Sequence, residues 1–366
     1  MPDIVVVTLG NIDNDNRVKK IIDFFSILTT KSTHSISINS QKVPNCVNIK
    51  VDHRNQRYFG IPGSNLLIIY LKFIFKLLKL RTNTYFHCND LIALPICVFI
   101  KTIGSNSKIV YDCHEYETEV HGLTKSKKIL LGLLERFLIR YVDSVITVSN
   151  SIALEYARLY KISPPHVILN CPKYIKPTKN DLFRDIFNIK KSQTVFLYQG
   201  ALAHGRGIEI LINTFSTMSP GNVLIIMGNG VLEKSIKAKS QTIPNIFYHT
   251  SVSTASLLDY TASADYGISF IEDSCLSNRY CLPNKLFEYI MAGLPVVTSN
   301  LPEMKHVVNS HNVGVVSDDN TATGFKEAIS RVKLLNYSKL KSNISNARQQ
   351  FCWEKQTLIL KKIYNL

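Results

Sequence analysis

Two stretches in the second half of the chain hold residue types suited to binding an anion. The first is Gly200-Ala201-Leu202-Ala203-His204-Gly205-Arg206-Gly207, directly after a β-branched and aromatic run at 194–198. A glycine-rich turn between a strand and a helix lets backbone N–H groups approach an anion, and the helix N-terminus adds partial positive charge. Arg206 can fork onto a phosphate. Read blandly, the glycines only satisfy the geometry of a turn. The second stretch is Pro283-Asn284-Lys285-Leu286-Phe287-Glu288-Tyr289-Ile290-Met291-Ala292-Gly293. Pro283 and Asn284 suit a helix start and Gly293 its end, with a buried strand from 295. Lys285 and Glu288 stand three apart on one helix face, with Leu286, Ile290 and Met291 packing the other side. A cation at a helix N-terminus opposes the macrodipole unless an anion is bound there. The bland alternative is an ordinary surface Lys–Glu pair.

These residues need a scaffold. The chain opens with a strand-like run, Ile4 to Leu9, ending at Gly10, then a helical pattern over 17–28. Strand-like segments recur at 84–88, 108–112 and 144–148, with helical segments at 65–80, 91–103 and 125–141. Such alternation predicts a doubly wound α/β domain. Residues 171–180 carry two prolines and little periodicity and read as a linker. The alternation then restarts: strands at 194–198, 223–227, 245–248 and 266–270, helices at 207–218, 230–240 and 254–262. A final helical stretch over about 338–365 contains Trp353, the only tryptophan. Two successive α/β domains leave a cleft where ligands bind.

At this point the second half resembles retaining glycosyltransferases of the GT-B fold, family 4. The matching stretches are Tyr198-Gln-Gly-Ala-Leu, Gly205-Arg-Gly-Ile-Glu, Met227-Gly-Asn-Gly, Tyr260-Thr-Ala-Ser-Ala-Asp, Pro283-Asn-Lys-Leu-Phe-Glu-Tyr, Ala292-Gly-Leu-Pro-Val-Val and Leu301-Pro-Glu-Met. In the first half the likeness rests on Asp15-Asn-Arg-Val, Tyr111-Asp-Cys-His-Glu and Val148-Ser149. Phe351-Cys-Trp resembles the family's C-terminal helix. The resemblance implies two Rossmann-like doubly wound domains facing a central cleft. Residues 1–170 would bind the acceptor on the membrane side, 171–340 the nucleotide-sugar donor, and 341–366 would cross back to the first domain.

The resemblance also implies roles. Arg206 falls where the family usually has a Lys on the donor diphosphate, and Glu288 falls on the glutamate that holds the donor ribose. Gly228 and Gly230 match the Gly-x-Gly turn near the nucleotide, alongside Gly200, Gly205 and Gly207. His114 matches a histidine near the transferred sugar. Two positions depart from the pattern: Ala201 stands for the usual phosphate-binding Arg, and Tyr280 for the usual first glutamate. Lys285 is expected to replace the missing cation, with Asn278, Arg279 and Tyr280 toward the sugar and Pro283 and Asn284 among the donor-binding residues. On the acceptor side, Asp15, Arg17, Asp112 and Glu115 are candidates, although a helix N-terminal Asp is often only a cap. The implied reaction moves a sugar, expected from a UDP-sugar, onto a lipid-linked or glycan acceptor. Preorganised donors at the leaving diphosphate then carry most of the catalysis. No metal or other cofactor is expected, and Asp13-Asn14-Asp15, though it spells DxD, lies too close to the first strand for metal work.

Composition narrows the remaining classes. The 366 residues are 45% hydrophobic and 19% charged, which excludes wholesale disorder. There are 43 Lys+Arg against 27 Asp+Glu, a net charge of +16, which favours an anionic partner. The eight cysteines form no CxxC pair, and with no leader apparent at Met1-Pro2-Asp3 the expected setting is a reducing cytoplasm. Apolar residues at 65–80 are interleaved with Lys72, Lys76 and Lys79. Residues 125–140 combine Lys125, Lys127, Lys128, Arg136 and Arg140 with Ile129, Leu130, Leu133, Leu134 and Phe137. At about 22 Å the first is too short to span a bilayer. Both suit an anionic membrane surface, on the inner face of the cytoplasmic membrane, in bacterial capsule or O-antigen assembly. Otherwise they simply cover the first sheet. No motif for nucleic acid is present. A nucleotide-sugar epimerase of similar architecture and a catalytically dead binding module are the competing classes.

Overall fold

The computed structural model describes residues 3–28, 33–38, 40, 46–49, 64–80, 84–104 and 106–366, without the side chains of 14, 46–49 and 64–66. Met1, Pro2, the Cys46 thiol and the side chains at 65 and 66, which enter the sequence-based expectations, lie outside the described residues.

The chain divides into two compact units, Met1–Ile168 with Ile359–Leu366, and Leu169–Leu358. The first alternates β1 (Asp3–Val7), α1 (Asn16–Leu28), β2 (Thr33–Ile38), β3 (Cys46–Ile49), α2 (Ser64–Leu77), β4 (Thr84–Asn89), α3 (Asp90–Thr102), β5 (Lys108–Asp112), α4 (Lys125–Leu138), β6 (Ser144–Thr147), α5 (Asn150–Tyr160) and β7 (His166–Val167). Its seven strands are parallel in the order β3-β2-β1-β4-β5-β6-β7. Val5, Val6 and Val7 are all fully buried. That is why β1 reads as a continuous β-branched run: a strand covered on both faces has no polar side. Strands β2, β3 and β7 escape the sequence pattern. In β2, Thr33, Ser35 and Ser37 sit among the apolar residues and yet are buried, so composition understates their burial. β7 is only two residues long.

The second unit runs α6 (Leu182–Phe187), β8 (Thr194–Gln199), α7 (Ile208–Ser216), β9 (Asn222–Met227), α8 (Glu233–Thr242), β10 (Ile246–His249), α9 (Leu257–Ala262), β11 (Tyr266–Ser269), α10 (Leu276–Arg279), α11 (Asn284–Ala292), β12 (Val296–Thr298), α12 (Pro302–His311), β13 (Gly314–Val316), α13 (Ala322–Leu334), α14 (Tyr337–Gln350) and the start of α15 (Trp353–Tyr364), whose residues from Ile359 belong to the first unit. The order β10-β9-β8-β11-β12-β13 is again all parallel. Alternate residues of β8 feed two cores. Val195 and Leu197 pack with Leu286, Phe287 and Ile290 of α11. Phe196 and Tyr198 pack with Leu211 and Phe215 of α7 and Ile329 of α13.

The final stretch is two helices rather than one, broken at Phe351-Cys352. Ile344 and Ala347 of α14 belong to the second unit's core. Near the chain end, Tyr364 packs with first-unit rings, its centroid 4.7 Å from Phe25 and 5.1 Å from Tyr85. Among the described residues no helix is long and apolar enough to cross a membrane.

Candidate functional site

In each sheet the strand order reverses beside the first strand, between β1 and β4 and between β8 and β11. Loops at the carboxyl ends of strands diverge there and leave a crevice. The candidate residues of each unit gather at that point.

In the second unit the turn after β8 is tied to the turn after β9. Gly200 N–H donates to Met227 O at 3.0 Å, Leu202 N–H to Asn229 O at 2.9 Å and Leu232 N–H to Leu202 O at 3.0 Å. This close seam explains Gly228 and Gly230. A Cβ on Gly228 would stand 1.9 Å from the Gly200 carbonyl oxygen, and one on Gly230 2.3 Å from that of Leu202. Both glycines, expected beside a nucleotide, are thus required by loop-on-loop packing. Gly200, with φ +125°, meets only the Lys285 side chain, whose Cε lies 3.5 Å from a built Cβ.

The turn is not an open row of N–H donors as expected from the sequence. Those of Gly200 and Leu202 are engaged in the seam. That of Gly207, which leads into α7, donates to Glu272 Oε1 at 3.1 Å, while Glu272 N–H donates to Gly205 O at 3.0 Å. Glu272 went unnoticed in the sequence, since no motif or period marks it. Asn278 holds the same loop, donating from Nδ2 to Glu272 O at 3.1 Å and to Ser274 Oγ at 3.0 Å. Arg279, expected toward a sugar, instead forks onto Asp273 at 2.9 Å. Tyr280 ends α10 half-buried.

Helix α11 begins at Asn284 after Pro283 and ends at Gly293 in the left-handed conformation, φ +82°. Seven of its nine residues are buried, so it is not the one-sided surface helix that a Lys–Glu face implies. Lys285 is 8% exposed, and its Nζ has no hydrogen-bond partner. The amine lies 3.7 Å from the centroid of the Tyr198 ring, a cation–π distance. Burial, reinforced by the nearby Arg206 charge, lowers it to about 7. The surface-pair alternative is thereby excluded. Arg206 is half-buried and forms no hydrogen bond or ion pair among the described residues.

Glu288 is positioned by residues far away in sequence. Gln199 Nε2 donates to Glu288 Oε2 at 2.6 Å, and Thr261 Oγ1 donates to Gln199 Oε1 at 2.8 Å. Tyr289 fixes the helix to the sheet: its hydroxyl accepts from Gln199 N–H at 3.0 Å and donates to Ile268 O at 3.1 Å. Of Gln199, Thr261 and Tyr289, only their place within the matching stretches hints at a role.

The first unit's cluster is of another kind. Arg17 grips Asp112 with two hydrogen bonds, Nη2 to Oδ1 at 2.7 Å and Nε to Oδ2 at 3.0 Å, and donates from Nη1 to Ile168 O at 2.8 Å. Both side chains are almost wholly buried. Burial alone would raise Asp112, but the Arg17 charge and the His87 hydrogen bond hold its carboxyl well below the usual range. His87, lowered by burial, takes a 2.6 Å contact from its Nδ1 to Tyr364 Oη. Arg17 and Asp112, expected to face an acceptor, therefore satisfy each other. Asp15 is a helix cap: Oδ1 accepts from Arg17 N–H at 2.9 Å and Val18 N–H at 3.0 Å.

His114 remains accessible, with its side chain 17% exposed. Its Nε2 is 3.1 Å from Asn89 Oδ1, and its Nδ1 is 3.4 Å from Asp90 Oδ1 and 3.9 Å from Asp15 Oδ2. Glu115 is exposed. Asp90 and Glu117 were missed in the sequence. Asp90 holds φ +62° at the turn from β4 into α3, a conformation sparsely used by non-glycine residues. Burial, then the adjacent Asp90 carboxyl, push the Glu117 carboxyl well above the usual range.

Residues 179–350 match the family model for glycosyl transferases group 1. The match lies within the second unit. Solved structures share the fold of the whole chain. Sucrose-phosphate synthase from Thermosynechococcus elongatus is 17% identical, with a TM-score of 0.75 over 100% of this chain and 98% of that one. Anabaena HepE in complex with UDP and glucose is 15% identical, with a TM-score of 0.75 over 100% of both chains. WaaG, a glycosyltransferase involved in lipopolysaccharide biosynthesis, is 14% identical, with a TM-score of 0.65 over 98% of this chain and 99% of that one. No curated protein matches the chain in sequence. The expected glycosyl transferase domain and the expected pair of Rossmann-like domains of the GT-B fold both hold.

Proposed function

We propose that the protein moves a sugar from a nucleoside-diphosphate sugar to a hydroxyl of a lipid-linked or glycan acceptor, with retention, as a family 4 enzyme of bacterial surface-polysaccharide assembly. The observation that carries this reading is the pair of cations at the end of β8. Arg206 and Lys285 meet there without a protein carboxylate on either, inside the glycosyl transferase domain. A leaving diphosphate gains negative charge in the transition state, and fixed cations stabilise it more there than in the ground state. With two such cations the reaction needs no metal. Glu288, aimed by Gln199, accepts hydrogen bonds from the ribose hydroxyls. The donor is a UDP-sugar, a reading supported by the complex of Anabaena HepE with UDP-glucose. The first unit supplies the acceptor side, with His114 as its acting residue and Arg17–Asp112 holding its loops in place. Ligand-observed NMR against UDP-, GDP-, dTDP- and CMP-sugars tests the donor site. Binding of one sugar nucleotide, lost in Glu288→Ala, is the expected result, and no binding by any of them overturns it.

The acceptor side is proposed to rest on an anionic membrane, on the cytoplasmic face. If α2 and α4 merely covered their sheet, their large apolar residues would be buried. Instead Phe75 is 71% exposed, Leu130 66% and Leu133 62%, beside exposed Lys72, Lys76, Lys127 and Arg136. Helix α3 packs against both α2 and α4 and adds exposed Ile92 and Phe99. Apolar residues ringed by cations suit an interface of acidic lipid. Flotation with vesicles containing phosphatidylglycerol should carry the protein, and a Leu130→Glu/Leu133→Glu variant should stay behind. Equal flotation of both would sink the membrane reading.

A further inference from the structure

The unpartnered amine of Lys285 has a consequence for binding. Its surroundings come from four segments. Tyr198 of β8 presents its ring face at 3.7 Å. Gly200, at the end of β8, leaves the space that a side chain would fill, with Nζ 3.7 Å from a built Cβ. Arg206, in the turn before α7, is a like charge that opposes protonation of the amine, whereas Cys281, ahead of α11, favours it. Glu288, one turn along α11, is a carboxylate acting on the amine, and one of its oxygens already accepts from Gln199. No group within hydrogen-bond reach stabilises the ammonium form. A buried amine in such a place sheds its proton readily, and here burial lowers it to about 7.

We propose that Lys285 takes up a proton from solvent when a nucleoside diphosphate binds against the Gly200 turn, so that the ligand itself creates the cation that holds it. The inference rests on the donor-site reading above. The balance is one proton added to the Nζ lone pair as the diphosphate arrives, and one returned to solvent as it leaves. No other bond changes. An arriving diphosphate brings the opposite charge and the acceptor oxygens that the site lacks, and both raise the amine's proton affinity.

Linkage gives the sign. Well below about pH 7 the amine is charged in both the free and the bound protein, and affinity is flat. Above that value binding must bring a proton, and affinity falls by up to about tenfold per pH unit until the bound amine itself titrates. A sugar nucleotide is the right probe, because its diphosphate diester has no titration of its own near neutrality, whereas a free nucleoside diphosphate does.

The experiment is calorimetric titration of UDP-glucose, and of GDP-mannose in parallel, into the full chain at about pH 7.5 in HEPES and in Tris. Dependence of the heat on the ionisation enthalpy of the buffer counts the protons. The wild type should take up between about a half and one proton per nucleotide. Lys285→Met should bind more weakly and take up none. Lys285→Arg, which stays charged throughout, should bind without uptake and with an affinity flat above pH 7. Wild-type binding without uptake, or uptake retained in Lys285→Met, overturns the inference and leaves the donor site standing. If neither nucleotide binds any of the three proteins, the donor-site reading and the inference fall together.

Discussion

The two units place their polar residues at the same point of the same kind of sheet, yet balance charge in opposite ways. After β1, β4 and β5, Arg17, Asp112 and His87 form a closed, buried network in which the one strong cation is matched by a carboxylate. After β8, Arg206 and Lys285 face the turn without such a match. A buried ion pair without a ligand is a structural device, costly to break from either side. A buried amine without a counter-ion is held back from its charged form until an incoming anion favours it. The comparison therefore assigns rigidity to the first cluster and ligand capture to the second. It also shows that position at a switch point does not by itself decide which residues act.

The largest expected effect lies in the second unit. Arg206→Ala and Glu288→Ala should each lower sugar transfer by about two to three orders of magnitude, with unfolding midpoints unchanged. Unaltered turnover in Arg206→Ala would show that this cation does not serve the diphosphate, and in Glu288→Ala that the carboxylate does not hold the ribose. In the first unit the loss should appear in stability instead. Arg17→Ala leaves Asp112 buried and unpaired, at a cost of about 3–5 kcal/mol in urea unfolding. Because Asp112 is held below its unfolded value, its contribution is present above about pH 4 and is lost as pH falls further. The variant should lose that acid dependence. An Arg17→Ala protein of normal stability but without activity would reverse the contrast between the clusters.

A smaller effect tests the packing of the donor turn. A Cβ on Gly207, at φ +69°, would stand 1.9 Å from the Phe270 ring, so Gly207→Ala should cost about 1–3 kcal/mol in thermal or urea unfolding. The smallest effect belongs to Glu117. Its raised value means that, between the unfolded and the folded values, the folded state retains a proton that the unfolded state releases. That penalty is absent below the unfolded value and grows as pH rises above about 4.3. Glu117→Gln removes it, and a small rise in the urea midpoint at neutral pH, vanishing in acid, is the expected readout.

Much of this was legible in the chain itself, at particular residues. The β-branched runs at 4–7 and 194–198 announce strands buried on both faces. Asn284 and Gly293 mark the ends of α11 within a residue, because helix ends are decided by local backbone preferences. Elsewhere local preference misleads. β2 is built from Thr33, His34, Ser35 and Ser37 together with two isoleucines, and pairing with neighbours on both sides, not composition, makes it a strand. The break at Phe351-Cys352 is hidden within one long helical pattern.

The sequence by itself determined the alternation of strands and helices, the glycine-rich turn after β8, and the Lys285–Glu288 spacing, since each depends on residues close together in the chain. Only the tertiary structure decided that Arg17 is neutralised by Asp112, 95 positions away, that Glu288 is aimed by Gln199, 89 positions away, and that Lys285 is buried with no hydrogen-bond partner among the described residues. Those outcomes depend on which groups distant strands bring within hydrogen-bond reach. Charge in a low-dielectric interior is governed by such neighbours rather than by residue type.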